Sequence, residues 1–118
     1  MVQPSEPYSR LKNHSNTLTI DISEDNRNST SVDMQGNKLR AILQPASMSA
    51  SKFKIQFSMD NSTFYDIADE NGNTKEVDFT ANSLVFTNDF DFLSMGYIRV
   101  RSDGTETADR TFTCIFGW

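Results

Sequence analysis

Few positions of this chain carry side chains able to do chemistry, and the densest group is YIRVRSDGTETADR, residues 97–110. Period-two alternation puts Tyr97, Arg99 and Arg101 on one side of a strand, with Ile98 and Val100 on the other. Arginine and tyrosine on a sheet face can stack on a sugar or grip a carboxylate, which makes these three a candidate ligand face. The plainer expectation is pairing within the fold: Arg99 and Arg101 with acids on adjacent strands, and Arg110 with Asp103 or Asp109 in the loop. RTFTCIF (110–116) alternates in the same way, with Phe112, Cys114 and Phe116 on one side. The two runs therefore read as a hairpin with one core face, joined by an acidic turn.

The other candidates are sparser. Asp69, Asn71 and Asn73 have the i, i+2, i+4 spacing of a calcium loop, but no glutamate follows at the twelfth position and the glycine is misplaced, so an ordinary turn is expected. Asp89 and Asp91 flank Phe90 and would share a strand face, a spacing compatible with glycoside hydrolysis, yet nothing marks the second half of such a site. The single cysteine, Cys114, sits in an apolar run and reads as a buried hydrophobe. The single histidine, His14, lies in the polar N-terminal arm, far from Cys114 in sequence. With one His and one Cys, a triad or zinc cluster has almost no ligands to draw on. The expectation is a non-enzyme with no cofactor, no catalytic residue and no metal site.

Composition agrees with a single globular domain. The chain has 118 residues, 36% hydrophobic and 23% charged, enough for one core without disulfides. Sixteen acids oppose eleven bases, and no window is strongly basic, which argues against nucleic acid as a partner. No run reaches the roughly 18 apolar residues of a membrane helix, and the N-terminal stretch lacks a signal-peptide core, so a soluble protein made in a cytoplasm is expected. The sequons at Asn13, Asn28 and Asn61 then carry little meaning.

The elements that would position these residues are short strands. Nine phenylalanines, with Val and Ile in short runs, favour strand over helix. TLTIDIS (17–23) alternates with Leu18, Ile20 and Ile22 inward, and SVDM (31–34) with Val32 and Met34 inward. LRAILQ (39–44) is less regular. KFKIQFSM (52–59) sets Phe53, Ile55, Phe57 and Met59 against Lys52, Lys54, Gln56 and Ser58, and FYDI (64–67) returns beside it as a hairpin. TKEVDF (74–79) and SLVFT (83–87) follow, and NDFDFLSMG (88–96) reads as a loop anchored by Phe90 and Phe92. The pattern predicts an all-β fold: an antiparallel sandwich, jelly-roll or immunoglobulin-like, of about eight to ten short strands over 17–118. Residues 1–16 form an extended arm, because Pro4 and Pro7 fix φ and remove amide donors. Tyr8 and Leu11 are apolar enough to dock, so the arm either hangs free or orders against a neighbouring subunit. Trp118 would leave a large ring in water if exposed and is expected to pack on the core or a partner.

Beyond about residue 52 the string of elements resembles a β-sandwich domain of tailed-bacteriophage virion proteins. The resemblance rests on Ser58-Met59-Asp60 closing a strand, the Tyr65-Asp66-Ile67 step, the strand from Tyr97 to Ser102, and Ala108-Asp109-Arg110 leading into the last strand. It implies a structural protein of the particle, a capsid decoration or cement protein or a small head or tail component. Its partners would be other virion proteins, the major capsid or tail protein, with a homo-oligomer on the particle and the virion as its location. Contact candidates are Pro4, Pro7, Tyr8, Leu11 and Trp118. The rival expectation is a carbohydrate- or receptor-binding module of a tail or fibre, using Tyr97, Arg99 and Arg101. A domain of an unrelated host protein is the third.

Overall fold

Nine strands form two antiparallel sheets packed face to face in the computed structural model, which describes residues 14–87 and 94–117. Sheet A holds β1 (His14–Ile20), β9 (Arg110–Gly117), β3 (Lys38–Leu43) and β7 (Leu84–Phe86), in that order. Sheet B runs β2 (Val32–Asp33), β8 (Tyr97–Ser102), β4 (Lys52–Ser58) and β5 (Tyr65–Asp66), and β6 (Glu76–Asp78) pairs with the other half of the β4 edge. No helix occurs among the described residues, so the all-β sandwich expected from alternation is the fold.

Alternation decides what enters the core. Leu18 and Ile20 of β1, Phe53 and Ile55 of β4, Ile98 and Val100 of β8, and Phe112, Cys114 and Phe116 of β9 are all buried between the sheets. Phe53 and Phe112 meet across the interlayer with ring centroids 4.9 Å apart, tilted by 58°. LRAILQ looks irregular because β3 carries a bulge: register against β9 slips between Leu39 and Ala41. The extra residue, Arg40, lets both Leu39 and Ile42 face inward although three positions separate them.

Three expectations fail, each for a local reason. Ile22 is exposed, because Asp21 ends β1 by accepting the Ser23 amide and hydroxyl on its side chain and the Glu24 and Asp25 amides on its carbonyl. Met59 is exposed because the strand gives way to the Asp60 turn at that point, while outward-facing Gln56 is buried among its Arg99 and Asp66 partners and Ser58 bonds Asp60. The third failure concerns 97–116. Strands β8 and β9 do not form a hairpin: β8 pairs with β2 and β4 in sheet B, and β9 with β1 and β3 in sheet A. Residues 103–109 cross from one sheet to the other, so the two inward faces meet through the core instead of lying side by side.

Gly96 sets the start of β8. Its φ of +96° is open to glycine alone among common residues, and its carbonyl accepts the Met34 amide. A Cβ there would lie 2.6 Å from the Phe57 ring and 2.7 Å from the Ser58 carbonyl oxygen. Gly96→Ala is expected to destabilise the fold by about 2 kcal/mol or more, read as a lower urea midpoint.

Candidate functional site

The arginine face exists as expected, on the outer side of sheet B, but its partners differ from those expected. Arg99 stands opposite Gln56 on β4 and Arg101 opposite Lys54. Arg99 donates from Nε to Gln56 Oε1 at 2.8 Å and lies over the Phe64 ring, 4.1 Å from its centroid. Gln56 passes the connection on, donating from Nε2 to Asp66 Oδ1 at 2.7 Å, and Asp66 also pairs with Lys54 Nζ at 3.3 Å. Arg101 donates to Asn28 Oδ1 at 2.8 Å. Amides, not acids, are thus the direct partners of both arginines. The gaps between like charges are filled by neutral groups that can accept on one side and donate on the other. Burial lowers the Arg99 pKa, Asp25 pushes it back up, and Arg101 adds to the depression. The Gln56 bond holds the Asp66 carboxyl below its ordinary value, with Lys54 assisting.

The cleft beside Arg99, between Asp21, Glu24, Asp25 and Asn28, measures about 230 Å³, below the roughly 300–1,000 Å³ of pockets that bury small ligands. A larger, half-open groove runs between β6 and β7 and is lined by Asp69, Lys75, Glu76, Asp78, Phe86 and Thr87. Asp69 is occupied as the expected turn residue: its Oδ1 accepts the Asn71 and Asn73 amides while Gly72, at φ +85°, closes the loop. Asp89 and Asp91, with Phe90 and Phe92, lie outside the described residues, as do Pro4, Pro7, Tyr8, Leu11 and Trp118.

Arg110, expected to pair with Asp103 or Asp109, instead joins a group that sequence inspection overlooks. Glu106 is only 2% exposed. Its Oε1 accepts Arg110 Nε and the Ser49 amide, both at 2.8 Å, and its Oε2 accepts Ser102 Oγ at 2.7 Å and the Ala50 amide at 3.1 Å. Arg110 reaches on to the hydroxyls of Ser47 and Ser49. Asp109 serves elsewhere, accepting the Ile22 amide. A glutamate in a polar turn gives no signal of burial; the serines of 46–51 become its cradle only once the fold brings them near. Cys114 is fully buried, and burial pushes its thiol up to about 12, leaving negligible thiolate at neutral pH.

The outer face of sheet A is the opposite of the arginine face. Ser15, Ile115, Ala41 and Phe86 form one cross-strand row, and Thr17, Thr113, Leu43 and Leu84 the next. Thr19 and Thr111 complete a third, with their hydroxyls 3.1 Å apart. These ten paired positions carry no charge, but Arg40 of the β3 bulge is exposed beside Ala41, which is itself buried. Phe86 is 72% exposed, Leu84 46% and Leu43 41%. Compared with known protein families and with curated proteins, the chain finds no match.

Glu106 makes stability depend on acid pH. Burial alone would raise its pKa, but the Ser49 amide, then Arg110, Ser102 and Ala50 outweigh burial and hold it below its ordinary value. Because the folded form binds a proton less readily than the unfolded one, this stabilisation is complete above the ordinary glutamate pKa and is lost as pH falls through the lower folded value. Glu106→Gln is expected to destabilise by about 3–5 kcal/mol at pH 7 and to flatten the acid limb of a Tm-against-pH curve. An unchanged acid limb would contradict the role given to this carboxylate.

Proposed function

We propose that this chain is a non-enzymatic structural protein of a tailed-bacteriophage particle. It attaches to the capsid, as a decoration or cement protein, or to the head–tail surface through protein–protein contacts made by the outer face of sheet A. The observation that carries this reading is the difference between the two outer faces. On sheet B the charged side chains hold one another through Gln56, Asp66 and Asn28. On sheet A two adjacent cross-strand rows pair uncharged residues and expose Leu43, Leu84 and Phe86, with Arg40 of the bulge the one charge set between them and the inward-facing Leu39. Contiguous exposed apolar side chains on a small domain mark a contact surface, and aromatic anchors are the usual energetic centre of one. The resemblance of residues 52–118 to phage virion sandwiches supplies the setting. Proteins of this type work by area and shape, which suits a chain in which Asp21, Asp60 and Asp69 serve their own turns.

The glycan-binding alternative draws on the same arginines, but a sugar would have to displace the Gln56 and Asn28 amides and compete with the Phe64 ring.

Binding of purified protein to phage particles lacking it separates the two readings. Phe86→Asp, on an exposed strand position, is expected to keep the fold and lose attachment roughly tenfold or more, the factor that corresponds to about 1.4 kcal/mol. Arg99→Ala is expected to leave attachment unchanged. Full attachment by Phe86→Asp, or glycan binding that Arg99→Ala abolishes, would overturn the proposal.

A further inference from the structure

An edge strand presents a row of unpaired amides and carbonyls, and folded proteins guard such rows by keeping them short, charged or covered. Most edges of this sandwich follow that rule. β2 and β5 are two residues long and carry Asp33 and Asp66, β6 is three residues long with Glu76 and Asp78, and β7 has three residues. β1 is different. Its seven residues, HSNTLTI, include no Asp, Glu, Lys, Arg or Pro, and they pair with β9 in unbroken register.

Hydrogen bonding shows which backbone groups of β1 face outward. The Thr19 amide donates to the Thr30 hydroxyl at 3.1 Å, and the Thr19 carbonyl accepts the Thr30 amide at 2.9 Å, so the Thr19 backbone is turned away from β9. Alternation turns those of Thr17 and Ser15 the same way. Thr30 therefore covers the edge at Thr19 and leaves the earlier part open. Ser15, Asn16 and Thr17 are all exposed. Among the described residues nothing bonds the outward amides and carbonyls of Ser15 and Thr17, or the side-chain amide of Asn16.

These open groups are self-complementary about Asn16. In an antiparallel pair with a second copy, Ser15 exchanges both backbone bonds with Thr17 of that copy, and Thr17 does so with its Ser15. A two-fold axis thus pairs every open backbone group of this stretch. Asn16 then stands opposite Asn16 of the second copy, at the position where facing side chains come closest. A charge there would meet its own like; a carboxamide both donates and accepts, and so pairs with its own image. A foreign strand would match the backbone alone, whereas a second copy also matches Asn16. We infer that the free protein associates as a two-fold dimer through β1, joining two four-stranded copies of sheet A edge to edge. The contact is short, hence weak and concentration-dependent. It lies on the edge opposite Leu84 and Phe86 and stands independently of the particle contact proposed above.

Amide hydrogen exchange in the unmodified protein tests this without relying on a variant that must fold. Between about 10 µM and about 1 mM, a range that brackets a weak contact, exchange at the Ser15 and Thr17 amides is expected to slow severalfold. The Asn16 and Leu18 amides, which face β9, should exchange alike at both concentrations. Sedimentation should move from monomer towards dimer over the same range. Thr17→Pro removes an outward amide and spares the β1–β9 ladder; it is expected to keep the fold and weaken association roughly tenfold or more. Fast exchange at Ser15 and Thr17 at every concentration overturns the proposal. So does association that Thr17→Pro leaves intact and Phe86→Asp abolishes, which would place the contact on the apolar strip at the other edge.

Discussion

A carboxylate withdrawn from water has to be surrounded by donors, and Glu106 finds four of them only because three separate segments converge on it. Ser102 ends β8 in sheet B, Arg110 begins β9 in sheet A, and Ser49 and Ala50 belong to the loop between β3 and β4. The Glu106 amide in turn donates to the Asn26 carbonyl, drawing in the loop before β2. This end of the sandwich is thus closed around one charge. A buried ion pair adds little net stability over an apolar substitute, but removing one partner is costly. Its consequence is geometrical: β8 and β9 leave the crossover into different sheets with Val100 and Phe112 both facing the core.

With that end fixed, the two outer faces take different parts. Cationic residues on adjacent strands would repel if left bare; Gln56 and Asn28 intervene, Asp66 and Asp25 balance the charge, and Phe64 covers the Arg99 guanidinium. The result is a face that is charged yet internally satisfied. Sheet A needs no such arrangement. Threonines cover much of β1 and β9, and Leu43, Leu84 and Phe86 give β3 and β7 an apolar strip at the edge away from the exposed Lys38 and Arg40. The exposed apolar strip of this face follows from composition and register together, since the same residues in another register would be buried or scattered.

Much of this was legible in the chain. Wherever alternation ran undisturbed, as in 53–55, 97–102 and 110–116, the inward residues were readable directly, because one face of each strand is sealed by the other sheet. Motifs behind the virion resemblance also have plain structural work: Asp60 caps its turn by accepting the Ser62 and Thr63 amides, Asp66 holds Gln56 and Lys54, and Asp109 binds the Ile22 amide. What stayed hidden was non-local. A bulge at Arg40 breaks the period, a turn at Asp60 takes Met59 out of its strand, and the crossover looks like a hairpin because sheet membership leaves no mark on period-two alternation. Arg110 and Glu106 are four residues apart, but their pairing depends on burial supplied by Ser47, Ser49 and Ala50, over fifty positions away. The apolar strip of sheet A was invisible for a related reason: Leu43, Leu84 and Phe86 belong to strands whose neighbours only the register reveals.

The central claim is that this sandwich is an adhesive part of a larger particle and not a ligand-binding or catalytic unit. The most direct measurement is the amount of this protein recovered with assembled phage particles after density-gradient purification. The account predicts a fixed copy number per particle that resists washing in salt, because the contact is apolar. Absence of the protein from purified particles, or its loss in moderate salt, would contradict it.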